Sequence, residues 1–167
     1  MTAEALRDRT RRTRLAALAV IVLTFAADQA SKYWVLSDGT LSGGDRISVA
    51  PVLDLVLTWN MGISYGLFQQ QEALGRFLLI GFTALATGML AVWLWRSGDR
   101  LLAGLALALI IGGALGNLVD RILFGGVVDF LHLHYGSFSW YVFNLADCAI
   151  VAGVGALLYD SLRPRPQ

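Results

Sequence analysis

The sequence predicts an all-α membrane protein, a four-helix transmembrane bundle carrying a small extracytoplasmic β element. Composition is the first sign. The 167 residues are 56% hydrophobic and 15% charged, where soluble domains carry about 25% charged residues. Four apolar segments are the second, at about 15–36, 77–95, 101–124 and 142–158. Each extends to the ~20 residues that cross a ~30 Å hydrocarbon core. Acidic and amide side chains embedded in these segments are the third. A charge near hydrocarbon costs roughly 2.5 kcal/mol or more, so such residues serve a purpose.

The first segment follows Arg7, Arg9, Arg11, Arg12 and Arg14. A basic stretch, an apolar run and the small residues Ala26-Ala27 together suggest a cleaved secretory signal. However, the run continues past Asp28 to Leu36, and three more apolar segments follow. An uncleaved first transmembrane helix is therefore expected. Residues 1–14 form a basic cytoplasmic tail, 15–163 the membrane domain with outer loops at about 37–76 and 125–141, and 164–167 a second tail.

Lysine and arginine set the orientation. Nine of the thirteen basic residues lie at the two ends and in the tight loop from Arg96 to Arg100. With four helices these regions share one face, which is cytoplasmic. In the first outer loop Leu53, Leu55, Leu57 and Trp59 alternate with Asp54, Val56 and Thr58. That period of two is a half-buried strand, with Ile47 and Val49 as its partner strand.

The polar residues converge in depth. At 1.5 Å per residue, Asp28, Asn117 and Asp147 sit roughly 20–24 Å from the cytoplasmic ends of their helices. Asp28 and Lys32, four residues apart, share a helix face and can pair. Asn117-Leu118-Val119-Asp120-Arg121 and Asn144-Leu145-Ala146-Asp147 repeat an Asn-x-x-Asp spacing. Each asparagine can orient the charged group one turn away. Asp129 follows Gly125-Gly126 in the last loop, where the chain turns back over the bundle.

A packing network is the alternative for part of this set. Intramembrane hydrogen bonds hold helices together, and Asp28, Lys32 and Asp120 are assigned to that structural role. Gly112-x-x-x-Gly116 marks a close helix contact. Asp129 and Asp147 have no basic partner in sequence, which favours chemistry. Carboxylates brought together share a proton and suit acid–base work.

Other patterns weigh less. Gly62-Ile63-Ser64-Tyr65-Gly66 matches G-x-S-x-G, but a serine nucleophile needs a histidine, and the membrane segments have none. His132 and His134 alternate as two metal ligands would, yet a third histidine is missing, so they read as interfacial rings. Cys148, the single cysteine, excludes an intramolecular disulfide and reads as a small buried hydrophobe. A net charge of +1 gives no sign of nucleic acid.

Five ordered boxes resemble the lipoprotein signal peptidase family, bacterial signal peptidase II, over almost the whole chain. They are Asp28-Gln29-Ala30-Ser31-Lys32, Asn60-Met61-Gly62-Ile63-Ser64-Tyr65-Gly66, Gly116-Asn117-Leu118-Val119-Asp120-Arg121, Val127-Val128-Asp129-Phe130 and Phe143-Asn144-Leu145-Ala146-Asp147. Ile63, Ser64 and Tyr65 depart from the usual alanines and phenylalanine and bear on the shape of the substrate pocket. The resemblance implies a membrane-embedded aspartic endopeptidase that removes signal peptides from diacylglyceryl-modified prolipoproteins. It implies Asp129 and Asp147 as the catalytic dyad, with Asn60, Asn117, Arg121 and Asn144 positioning substrate or supporting the dyad. It further implies a monomer in the bacterial inner membrane, both termini cytoplasmic and the site toward the outer leaflet, with no metal or cofactor. A small proton- or ion-coupled transporter is the competing class. Transporters bury carboxylates near the midplane, often in repeated halves, and no repeat appears here.

Overall fold

The computed structural model describes residues 2–42, 44–62 and 73–163. Its elements run α1 (Ala3–Ser37), α2 (Gly39–Ser42), β1 (Arg46–Ala50), β2 (Leu53–Asn60), α3 (Ala73–Arg96), α4 (Leu101–Phe124), β3 (Val127–Tyr135), β4 (Phe138–Phe143) and α5 (Leu145–Leu162). Four helices, α1, α3, α4 and α5, are long and apolar enough to cross a membrane. The central one is α4, against which α1, α3 and α5 all pack. Its inward face is built of small residues and aliphatics, from Ala103 to Ile111, nearly all buried. The outer faces are the reverse of a soluble protein's. Phe77, Phe82, Leu85, Trp95 and Val151 stand at least 64% exposed, as side chains facing lipid would.

Close packing depends on glycine. A Cβ at Gly112 would lie 2.8 Å from Thr24 Cβ of α1, and one at Gly113 would lie 2.5 Å from the Ala146 carbonyl oxygen of α5. One added at Gly116 would run into the Asp28 carboxylate. The small-residue motif thus seats α4 between α1 and α5, as its spacing suggests.

Helix α1 begins at Ala3 rather than at 15, so the basic segment is a helical extension of the first span. Thr2 caps it by accepting from the Ala5 N–H at 3.3 Å, Glu4 sits in the first turn, and Arg12 pairs with Asp8 one turn back at 2.9 Å. At 35 residues the helix is ~52 Å long. A ~30 Å core therefore leaves the arginine-bearing turns beyond the hydrocarbon.

The expected β1–β2 pair is present, antiparallel, with Ile47 opposite Leu55. It is half of a larger sheet in the order β1-β2-β3-β4. Segment 125–141 is therefore no plain loop, and Val142 and Phe143 belong to β4 rather than to the fourth helix. The first four residues of β3 are all buried, so the alternation that marks a one-sided strand is lost there. Gly136 (φ 57°) makes the turn into β4, and Leu41, Val35 and Phe130 form a small core between sheet and helices.

Candidate active site

The last strands and the helix ends bring the polar residues to one place. Pairing of β2 with β3 sets Thr58 opposite Asp129 and Asn60 opposite Val127. From there Asn60 Nδ2 donates to Asp129 Oδ2 at 3.0 Å. Asn144 caps α5 and makes a reciprocal capping box with Asp147. Its side-chain oxygen accepts from the Asp147 N–H at 3.0 Å, and Asp147 Oδ2 accepts from the Asn144 N–H at 3.2 Å. The second Asn-x-x-Asp spacing is thus a helix start, which fixes Asp147 in the first turn of α5.

The two aspartates are joined by two amides. Asn144 Nδ2 donates to Asp129 Oδ1 at 2.6 Å and to Asn117 Oδ1 at 3.1 Å. Asn117 Nδ2 donates to Asp147 Oδ1 at 2.9 Å. Asn117 therefore orients Asp147 across the bundle, not Asp120 on its own helix as its spacing suggested. Asp129 is 2% exposed and Asn144 fully buried. Burial pushes the Asp129 carboxyl up to about 6; the Asp147 charge adds to this, and the hydrogen bond from Asn60 opposes it. Arg121 donates to the Asn117 carbonyl at 3.2 Å, and its charge acts on both aspartates.

Beneath this pair lies a second cluster. Lys32 Nζ is 2.8 Å from Asp28 Oδ2, 2.7 Å from Asp120 Oδ2 and 3.0 Å from Asn117 Oδ1. All three charged side chains are 3% exposed or less. Lys32 thus holds two carboxylates, where sequence spacing gave it Asp28 alone. Each of these carboxylates grips backbone next to a candidate catalytic residue. Asp28 Oδ1 accepts from the Ala146 N–H at 2.9 Å, beside Asp147. Asp120 Oδ2 accepts from the Val128 N–H at 3.2 Å, beside Asp129. Gln29, given no role in the sequence analysis, donates to Asp120 Oδ1 at 3.0 Å and to Asp28 Oδ2 and the Gly116 carbonyl at 3.3 Å. Its place in the first box was the available signal.

A cavity of about 730 Å³ opens onto the pair, lined by Asn60, Gly62, Asn117, Arg121, Asp129, Trp140, Tyr141, Asp147 and Val151 among others. Cys148 also lines it and is exposed, so the reading of a buried hydrophobe is wrong; the first turn of α5 faces this cavity on that side. The second box is described only to Gly62, and Ile63, Ser64, Tyr65 and Gly66 lie outside the described residues.

His132 and His134 do stack, 5.6 Å apart at 24°, but ring packing is not their main engagement. His134 Nε2 is 3.0 Å from the buried Asp54 Oδ2, which Arg46 also approaches at 3.1 Å. Burial works to raise the Asp54 carboxyl, but hydrogen bonds from Ser48 and His134 and the charges of His134 and Arg46 hold it below its usual range. Among the described residues no three histidine, cysteine or acidic side chains are arranged to hold a metal ion.

Comparison with known proteins identifies the family. The family model for signal peptidase (SPase) II matches residues 20–163. A lipoprotein signal peptidase of Methylorubrum extorquens (strain PA1) is 53% identical over 150 residues, 90% of this chain and 87% of that one. One from Methylocella silvestris is 54% identical over 143 residues, covering 86% and 83%. A solved structure described as a bacterial membrane enzyme, obtained by the in meso method at 2.3 Å resolution, superposes with a TM-score of 0.77 at 25% identity, over 90% of this chain and 92% of that one. The chain belongs to the signal peptidase II family.

Proposed function

We propose that this enzyme cuts the signal peptide from diacylglyceryl-modified prolipoproteins, with Asp129 and Asp147 as its catalytic pair. Two close carboxylates do not readily both ionise, so the pair holds one proton. Asp129, the more buried of the two and with its carboxyl raised to about 6, is assigned the acid's part, protonating the scissile carbonyl oxygen, while the pair titrates jointly. Asp147 accepts two hydrogen bonds, from Asn117 Nδ2 and the Asn144 N–H, and lies in the first turn of α5. It takes the proton from the attacking water. Asn117 and Asn144 hold the carboxyls in register, and Asn60 and Arg121 sit in the cavity where substrate would bind. The amide-linked pair facing one cavity is the observation that carries this reading.

The orientation follows from charge. The N-terminal arginines and the Arg96–Arg100 turn mark the cytoplasmic face. That sets the pair toward the outer leaflet, where a substrate's lipid chains remain in the membrane beside it. The domain then comprises residues 15–163 between two cytoplasmic tails, and the enzyme works as a monomer. The test is cleavage by purified protein in nanodiscs. A diacylglyceryl-modified precursor should be cut just before its modified cysteine, and the unmodified precursor left intact. Equal cleavage of both would remove the lipid from the specificity, and cleavage of neither would reject the proposed substrate.

A further inference from the structure

We infer a second ligand site at the opposite end of the bundle, in a cleft between α1 and α3, whose occupant is an anionic phospholipid. The cleft is about 700 Å³ and is lined on one side by Arg7, Arg11, Arg14, Leu18 and Ile21. These five residues are spaced 4, 3, 4 and 3 apart, so they form a single stripe along α1. The stripe is basic for its first three members and apolar for the last two. From Arg7 to Ile21 it runs ~21 Å. Leu94 and Trp95 of α3 close the other side.

This is the outline of an amphiphile with a negative head. Three guanidiniums suit a phosphodiester, for which arginine's forked donors are matched. The apolar half suits an acyl chain lying along the helices. Arg14 makes the junction. Its guanidinium carbon lies 3.9 Å from the centre of the Trp95 ring, and Nη2 donates to the Trp95 carbonyl at 2.8 Å. Its Nε is buried without a hydrogen-bond partner among the described residues. The other basic residues of this stretch are engaged elsewhere. Arg9 pairs with Asp99 at 3.4 Å and Arg12 with Asp8 at 2.9 Å. A signal-peptide start, itself basic, would be repelled by the same charges. With the chain ends cytoplasmic, as proposed above, the site faces the inner leaflet; the measurement below does not depend on that orientation.

Native mass spectrometry of the full chain in detergent tests it, with dioleoyl phosphatidylglycerol and dioleoyl phosphatidylcholine offered in equal amounts. Phosphatidylglycerol should be retained preferentially by roughly tenfold or more, from the attraction of several arginines. The double variant Arg7→Gln with Arg11→Gln should lose most of that preference. The control Arg9→Gln with Arg12→Gln removes the same charge from outside the cleft and should keep it. Equal retention of the two lipids by the parent overturns the site. So does an equal loss in both double variants, which would mean diffuse attraction. Displacement of the lipid by inorganic phosphate at matching concentration would show an anion site with no place for the acyl chain, and would also overturn it.

Discussion

Replacing Lys32 by methionine should unsettle both candidate catalytic aspartates at once. The ammonium lies 2.8 Å from Asp28 and 2.7 Å from Asp120. At an effective dielectric of ~20, each contact is about 6 kcal/mol of gross attraction. Most of this is offset by desolvation, and removing one partner of a buried pair costs a net ~3–5 kcal/mol. For a chain of this size that lowers the melting temperature by on the order of 10 °C. The stranded carboxylates repel, and each is the anchor of backbone beside Asp147 or Asp129. Asn117 also loses one of the two donors to its oxygen, keeping Asn144; the lost bond, from a charged group, is worth ~1.5 kcal/mol or more, so cleavage should slow roughly tenfold. Thermal unfolding in detergent and initial cleavage rate are the assays. The decisive companion is Asp28→Leu with Lys32→Leu. If Lys32 served Asp28 alone, that pair would recover the parent's stability. Because Asp120 would remain buried without its cation, no recovery is expected. A double variant that melts like the parent would refute the three-charge cluster.

Gly116→Ala places a methyl against the Asp28 carboxylate; it should cost ~1–3 kcal/mol by overpacking and reduce activity, and an unchanged melting temperature would show that α1 can withdraw freely. Asp129 has a folded-state pKa of about 6 against 3.8 for the ordinary carboxyl. Its contribution to stability is therefore full below about pH 3.8 and lost as pH rises through about 6, amounting to ~3 kcal/mol. Asp129→Asn should flatten that part of the stability profile, and an identical slope in both proteins would contradict the assignment; in the parent, kcat/KM should fall as pH rises above about 6. On a Cys148→Ala background, an impermeant thiol reagent added outside should label Tyr135→Cys and spare Ser97→Cys, and the reverse pattern would invert the proposed topology.

The helices were legible because crossing a membrane demands long apolar runs, and no other fold requires four of them in so short a chain. The β1–β2 pair was legible because Leu53 to Trp59 keeps a near-strict alternation, broken only by Val56. Strand β3 was not. Val127, Val128, Asp129 and Phe130 are all buried, where β3 runs beside β2 and packs against α1 and α4, and continuous burial erases the period of two. Of the site, the sequence picked out residues that the fold brings together but not who meets whom. Spacing pairs Asn117 with Asp120 and Lys32 with Asp28. The fold gives Asn117 to Asp147 and Lys32 to both Asp28 and Asp120, since partners on other helices lie outside any local spacing rule. Asp54 went unremarked because its partners, Arg46 and His134, join it only through sheet pairing.

The central claim is that Asp129 and Asp147 have separate, indispensable roles in one proton transfer. Single-turnover cleavage of a diacylated prolipoprotein by Asp129→Asn and by Asp147→Asn tests it most directly, with folding checked by melting temperature. Asparagine keeps the size of the side chain and removes its capacity to give or take a proton. Each variant should fold and lose cleavage by roughly 10⁴-fold or more, as expected when a proton-transfer group is removed from its site. Turnover within tenfold of the parent by either folded variant would contradict the dyad.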